Sequence, residues 1–289
     1  MAHADRLPVA RMLGAIPPPA LVLLGIVSLQ VGAALAKQLF AVAGAAGTVT
    51  LRLVFAAVVL LAIWRPSLRM DRRTLVVVLS YGTVLAAMNL CIYHAFERIP
   101  LGAAVTIEFL GPLAVAVFGS RRWLDGVWVL LAALGVLLLT RAQGGLVWTG
   151  VLFALAAGAC WAAYIMLAAK LGSATSDGKG LALAMVVGSL IALPFGVSSA
   201  GTAMLDPIVL AAGFAVALMS SVIPYSLELE ALRRMPPRVF GILMSLEPAV
   251  AALAGLVVLG EHLRPAQWVA VCCVVIASVG ATRSARPDI

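Results

Sequence analysis

Apolar residues form long blocks in this chain, and charged residues lie almost entirely in the short segments between those blocks. A helix that crosses a membrane needs about 20 apolar residues, and about 17 are enough. The pattern therefore predicts an all-α integral membrane protein with ten transmembrane helices and no domain outside the bilayer. The predicted helices span residues 21–40, 48–64, 74–96, 101–120, 124–140, 149–171, 181–197, 208–232, 239–259 and 265–282.

Short motifs of the first half recur 136 positions later in the second half. The Arg-x-Pro of residues 98–100 recurs at 234–236, and the Leu-x-Pro of residues 110–112 recurs at 246–248. The helix that carries Glu108 before a proline thus has a counterpart that carries Glu247 before a proline. An ionisable group inside hydrocarbon is costly and usually faces a partner or a watery cavity. These two helices are predicted to form the functional centre.

The predicted helices divide evenly at the glycine-rich break of residues 143–145, with five before it and five after it. An odd number per half places the second half in the membrane in the opposite orientation. Inverted repeats of this kind are typical of transporters, whose substrate site lies near the middle of the bilayer. The predicted division is a tail (residues 1–19), two repeats (20–145 and 146–283) and a second tail (284–289).

Composition and charge agree with a membrane protein. Of the 289 residues, 63% are hydrophobic and 11% are charged, and the mean hydropathy is +1.11, whereas a soluble domain carries about 25% charged residues. A net charge of +8 would suggest a nucleic-acid partner in a soluble protein, but here the basic residues flank apolar helices. Fifteen Lys and Arg residues lie at one set of helix ends and three at the opposite set. This imbalance predicts that both termini are cytoplasmic.

The carboxylates within the spans are the first candidates for binding substrate or protons. Glu108 lies roughly 10 Å deep, Glu247 lies near the middle of its span, and Glu228 is shallower. The structural alternative for Glu108 is a fixed ion pair with Arg52 or Lys37. Glu230 precedes Arg234 by four residues, which is typical of a structural pair on a helix surface.

Two cations and several polar or aromatic side chains complete the candidate site. Lys37 and Arg52 could bind a substrate carboxylate, although Lys37 could equally extend to the interface and Arg52 could neutralise Glu108. The remaining candidates share similar predicted depths: Asn89, Tyr93, Trp161, Tyr164, Tyr225 and Ser245.

Several motifs resemble those of the drug/metabolite transporter superfamily, specifically its EamA type and the branch that exports threonine and homoserine. The matching stretches are GAALAK (32–37), LRL (51–53), MN (88–89), PLG (100–102), EF (108–109), GPLAVA (111–116), GACWA (158–162), PYSLE (224–228), FG (240–241), LMS (243–245) and EPA (247–249). The second half carries the Gly260-Glu261 ending of the family, whereas Arg121-Arg122 stands at that place in the first half. The resemblance implies export of small neutral amino acids across the bacterial inner membrane by proton antiport with alternating access.

Other functions remain as alternatives or are excluded by the motifs. Export of another metabolite, such as an aromatic amino acid or a purine, is the closest alternative, and a channel or assembly subunit is the alternative from another class. An enzyme is not predicted, because the sequence lacks HExxH, GxSxG and Walker-type motifs. No cofactor or metal is expected. The expected partners are an amino-acid substrate, protons and the lipid bilayer, with monomer or homodimer left open.

Overall fold

The regular elements are all helical in the part of the chain that the computed structural model describes, which is residues 16–66, 70–118, 124–141, 147–174 and 179–284. This confirms the predicted all-α class. A 3₁₀ turn spans Gly201–Leu205, and a π-helical turn (Leu218–Val222) joins the helices Pro207–Ala217 and Ile223–Leu232. The helices are α1 (Pro18–Trp64), α2 (Arg72–Phe96), α3 (Leu101–Glu108), α4 (Leu110–Phe118), α5 (Leu124–Arg141), α6 (Trp148–Ala174), α7 (Lys179–Ala200), α8 (Pro207–Ala217), α9 (Ile223–Leu232), α10 (Pro237–Met244), α11 (Glu247–Leu259) and α12 (Pro265–Ser284).

The protein is a multi-pass membrane protein. Large apolar side chains cover its outer surface, with Val257 and Ile208 both 79% exposed and Leu130 72% exposed, a surface that suits lipid rather than water. Two shorter apolar helices occupy Leu101–Val117 and Gly126–Leu138. Seven stretches of the described residues are long and apolar enough to cross a membrane: Pro18–Trp64, Arg72–Phe96, Trp148–Ala168, Lys179–Leu205, Pro207–Leu232, Val239–Leu259 and Pro265–Arg283.

Helix α1 reverses direction within its length. Its 47 residues would extend about 70 Å as one straight helix, more than twice the thickness of a hydrocarbon core. At Gly44 the backbone adopts φ 64° and ψ 172°, a conformation that favours glycine. Gly32, before this point, and Arg52, after it, both lie against Ser220. Since both sides of Gly44 contact the same residue, α1 consists of two arms, one before and one after Gly44, that both reach Ser220.

Two short helices in the middle of the protein end at equivalent breaks. Helices α3 and α10 have eight residues each, and their bounds differ by the 136 positions of the sequence repeat. Each is followed by a proline, and a proline lacks the N–H that would bond the carbonyl four residues earlier. Pro112 thereby releases the carbonyl of Glu108, and Pro248 releases that of Met244. The repeated proline therefore places a helix break next to a predicted site residue in each half.

Glycines allow the broken helices to approach their neighbours closely. A Cβ on Gly158 of α6 would lie 2.7 Å from the carbonyl oxygen of Glu108, and a Cβ on Gly111 would overlap the backbone of Gly158. A Cβ on Gly102 of α3 would lie 2.6 Å from Cα of Ala252 in α11. Small residues at such crossings are usual between membrane helices, because association there depends on close packing. Glu108 is thus held at a contact between helices of the two halves.

Candidate functional site

One cavity of about 110 Å³ lies where the broken helices meet the first arm of α1. Nine of the eleven predicted site residues line it: Arg52, Asn89, Tyr93, Glu108, Trp161, Tyr164, Tyr225, Glu228 and Glu247. The structure thus gathers residues from both halves of the sequence around a single space. Lining residues that the sequence analysis did not select include Gln30 and Met244.

Three acidic side chains border this cavity. Glu108 is 8% exposed and Glu247 is 4% exposed, and Glu228 is partly buried. Among the described residues, the carboxylates of Glu108 and Glu228 accept no hydrogen bond and form no ion pair. An unpaired charge in such surroundings is costly. The cavity is therefore suited to a ligand that brings positive charge, such as a proton or an ammonium group.

Arg52 supplies the positive charge of the cavity, and its position depends on the π-helical turn. Pro224 lacks the N–H that would bond the carbonyl of Ser220, and that carbonyl accepts a hydrogen bond from Nη2 of Arg52 at 2.9 Å. Nε of Arg52 donates to Oγ of Ser221 at 3.0 Å, and Nη1 donates to the hydroxyl of Tyr93 at 3.1 Å. Arg52 therefore joins α1, α2 and the second half of the protein.

The suggested ion pair between Arg52 and Glu108 is wrong as a direct contact. Within the described part of the chain, all three hydrogen bonds of the Arg52 guanidinium go to uncharged groups. The opened turn around Ser220 occupies two of these donors and Tyr93 occupies the third, which the sequence alone did not reveal. A guanidinium has five N–H donors, so two remain for a ligand. Arg52 can thus bind a carboxylate without leaving its present partners.

Glu247 is the one cavity carboxylate with a hydrogen-bond partner in the described residues. Nε2 of Gln30, from the first arm of α1, donates to Oε1 of Glu247 at 3.0 Å. Glu247 is the first residue of α11, where the partial positive charge of a helix N-terminus favours an anion. The sequence analysis missed Gln30, although an amide in the middle of an apolar span could have indicated it.

Aromatic side chains form the walls of the cavity. The ring of Trp161 stands edge-on to Phe109, with centroids 5.4 Å apart. The rings of Tyr164 and Tyr81 lie 4.6 Å apart, and Tyr225 lines the same space. Packed rings of this kind have few accessible rotamers. The tyrosines among them bring hydroxyl groups to the cavity.

The side chains of Asn89 and Ser245 each form a hydrogen bond with the backbone carbonyl four residues earlier in the chain. Nδ2 of Asn89 donates to the carbonyl of Leu85 at 2.8 Å, which leaves its amide oxygen for the cavity. Ser245 does not line the cavity. Its Oγ bonds the carbonyl of Gly241 at 2.9 Å and Oγ of Ser278 at 2.7 Å. Ser245 therefore holds the end of α10 against α12.

Lys37 also lies outside the cavity, at the helix ends near the start of α3. Its Nζ lies 2.6 Å from Oε1 of Glu261 and 3.1 Å from the carbonyl of Ile99. Oε2 of Glu261 accepts the backbone N–H of Leu101 at 2.8 Å. Gly260 ends α11 with φ 67°, which directs Glu261 back toward these partners. The Gly-Glu ending of the second half thus forms a cross-link to the first half.

Glu230 lies where the sequence analysis expected a structural pair. Its Oε1 lies 3.9 Å from Nη1 of Arg234, and its Oε2 lies 3.9 Å from Nη1 of Arg233. These groups are at the end of α9, away from the cavity lining. Glu230 therefore differs in setting from Glu228, which is two positions earlier on the same helix.

Known proteins are similar to this chain in sequence or in fold. The EamA-like transporter family matches residues 148–283. The threonine/homoserine exporter RhtA of Escherichia coli strain K12 is 42% identical over 275 residues, which cover 94% of this chain and 93% of that protein. The exporter of the same name from Salmonella typhimurium strain LT2 matches with the same identity and coverage. These relatives are transporters.

A solved crystal structure of another protein has the same overall fold. The two chains superpose with a TM-score of 0.61 at 18% sequence identity, and the match covers 92% of this chain and 97% of the other. At this identity the match concerns the fold alone. The fold therefore extends over both halves of the present chain.

Proposed function

Because this chain belongs to the EamA-like transporter family, we propose that it is a secondary-active exporter of small neutral amino acids such as threonine and homoserine. The observation that carries the proposal is the cavity, which has one arginine with unused donors and three carboxylates at its border. A zwitterionic amino acid presents a carboxylate and an ammonium group to these two kinds of charge. Identity of 42% with threonine/homoserine exporters supports this substrate class.

In this proposal the charged residues have unequal roles. The two remaining N–H donors of Arg52 bind the substrate carboxylate, since a guanidinium fits a carboxylate with two parallel bonds. Glu247 binds the ammonium group, with Glu228 nearby. Glu108 carries the exchanged proton, because it borders the cavity without a hydrogen-bond partner among the described residues and is more deeply buried than Glu228. A proton that enters as the substrate leaves gives proton antiport.

The proposed architecture is ten transmembrane helices in two inverted repeats, with both termini in the cytoplasm of a bacterial cell. The equal lengths and equivalent breaks of α3 and α10 support the repeat. The reversal at Gly44 supports counting α1 as two spans. Added to the other six long apolar stretches and the two shorter apolar helices, these two spans give the ten that we propose. Alternating access then follows from movement of one half against the other around the central cavity.

Transport assays with the purified protein test the proposed function. Proteoliposomes loaded with unlabelled threonine or homoserine should accumulate the labelled amino acid by exchange, because a carrier exposes its site to each side in turn. Accumulation with aromatic amino acids or purines instead would favour the alternative exporter. If the labelled amino acid only equilibrates across the membrane, and unlabelled amino acid inside does not drive its accumulation, the protein is a channel.

A further inference from the structure

Two buried oxygen atoms beside the cavity lack hydrogen-bond partners. Gln30 is 2% exposed and Glu247 is 4% exposed, and Nε2 of Gln30 bonds Oε1 of Glu247 at 3.0 Å. The other oxygen of each side-chain end, Oε1 of Gln30 and Oε2 of Glu247, accepts nothing from the protein. Buried acceptors are normally satisfied. Both oxygens are themselves buried, but they belong to side chains that line the cavity, so a ligand in the cavity lies beside the pair.

Two kinds of ligand can complete this pair. A proton on Oε2 of Glu247 can donate to Oε1 of Gln30, so a protonated carboxyl satisfies both oxygens while no substrate is bound. A primary ammonium group has three N–H donors and a positive charge that matches the carboxylate. Glu228, which lines the same cavity and accepts no hydrogen bond from the described residues, offers an acceptor for the third donor.

We propose that Gln30 and Glu247 together form a subsite for the primary ammonium group of the substrate, and that Gln30 makes the carrier select primary amino acids over N-alkylated and hydroxy acids. This inference rests on the proposed function and names the part of the site that determines substrate class. An N-methyl group removes one donor and adds volume at this subsite. A hydroxy acid brings a single donor and no charge.

The position of Gln30 suits a specificity-determining residue. The amide is oriented by its bond to Glu247, so its oxygen has a defined direction. Two residues earlier in the same arm, Oγ of Ser28 donates to the carbonyl of Met219 at 2.8 Å, which anchors this stretch of α1 to the second half. Arg52 lines the cavity from the second arm. The two arms of α1 therefore contribute groups for the two ends of a zwitterion.

Binding measurements on variants in lipid nanodiscs test the subsite. Calorimetric titration compares homoserine, N-methylhomoserine and 2,4-dihydroxybutyrate, which share one carbon skeleton. The parent is expected to bind homoserine at least about tenfold more tightly than either analogue. In Gln30→Met the affinity for homoserine should fall about tenfold, with binding of 2,4-dihydroxybutyrate unchanged. Unchanged binding of the hydroxy acid also shows that the variant is folded.

One further variant completes the experiment. Gln38→Met is the matched control, because Gln38 lies on the same arm, and its exposed Nε2 bonds the carbonyl of Val258 at 3.2 Å. It should bind as the parent does.

The outcomes separate the subsite from the proposed function. A parent protein that binds no homoserine contradicts the proposed function, and the subsite with it. A parent that prefers homoserine, together with a Gln30→Met variant that keeps the same preference, overturns the subsite alone. The two oxygens then share a proton as a hydrogen-bonded acid and amide. Equal loss of affinity for all three compounds in Gln30→Met also overturns it, because Gln30 would then act only on packing.

Discussion

Arg52 illustrates how a proline in one helix determines the surroundings of a charge in another. Pro224 has no N–H to offer the carbonyl of Ser220 four residues earlier, and Arg52 donates to that carbonyl. The tyrosine hydroxyl of Tyr93 accepts a further bond from the same guanidinium. The arginine is thus buried with partly satisfied donors, and its charge remains available for an anion that enters the cavity.

Replacement of Arg52 by lysine should impair both stability and substrate binding. A lysine keeps the charge but cannot donate at once to Ser220, Ser221 and Tyr93 with a planar fork. Loss of donors to buried acceptors is expected to destabilise the fold by about 1–3 kcal/mol. Denaturant unfolding measures stability, and homoserine titration should show at least about tenfold weaker binding. An Arg52→Lys variant that matches the parent in both would contradict this role.

The two central glutamates should respond differently when each is replaced by glutamine. Glu108→Gln is expected to keep homoserine exchange but to lose accumulation driven by a pH gradient, because the proton carrier is absent. Glu247→Gln should lower exchange itself by at least about tenfold, since an ammonium group then loses its charged partner. Both assays use the same proteoliposomes.

Glu230→Gln is the matched control, because Glu230 pairs with arginines away from the cavity. It should transport as the parent does in both assays. Full pH-driven accumulation by Glu108→Gln would show that another group carries the proton.

The sequence indicated most of the charged site, because an ionisable residue in an apolar span is conspicuous. Its partners were harder to infer. Gln30 is uncharged, and its bond to Glu247 joins positions 217 residues apart. Lys37 carried the same charge signal as Arg52, yet it bonds Glu261 at the helix ends. Depth along a helix was predictable, whereas the direction of a side chain depends on helix packing.

At the scale of elements, close helix crossings hold the site together. The break between α3 and α4 lies against Gly158 of α6, where backbone meets backbone. The sequence analysis predicted one continuous span over residues 101–120, although the repeated Leu-x-Pro motif lies at this break. The identity of the helix packed against it was not predictable, because many glycines in the sequence occur at helical spacing. The reversal at Gly44 was likewise predicted only as a boundary between two spans.

Substitution of Gly158 by alanine should destabilise the protein and alter the site. The added Cβ would lie 2.7 Å from the carbonyl oxygen of Glu108, so α3 and α6 must move apart. Overpacking of this kind costs about 1–3 kcal/mol. Gly126→Ala is the control, because a Cβ there meets no atom of the described structure within 4 Å. Equal unfolding curves for the two variants would contradict the proposed crossing.

At the scale of the whole molecule, the two halves meet at the cavity and are also joined at one end. Glu261 of the second half bonds Lys37 and the N–H of Leu101 in the first half. Any movement that opens this end must separate these groups, while the cavity residues stay near the centre. The sequence repeat predicted two halves. The cross-link could not be predicted, because the first half carries Arg121-Arg122 at the corresponding place.

The central claim is that one cavity exchanges an amino acid for protons. The most direct test is the internal pH of proteoliposomes, followed with a trapped dye after an outward homoserine gradient is imposed without any initial pH difference. The account predicts that protons move inward as homoserine leaves, so that the interior becomes acidic in the parent but not in Glu108→Gln. Homoserine efflux through the parent protein with no change in internal pH would contradict the account.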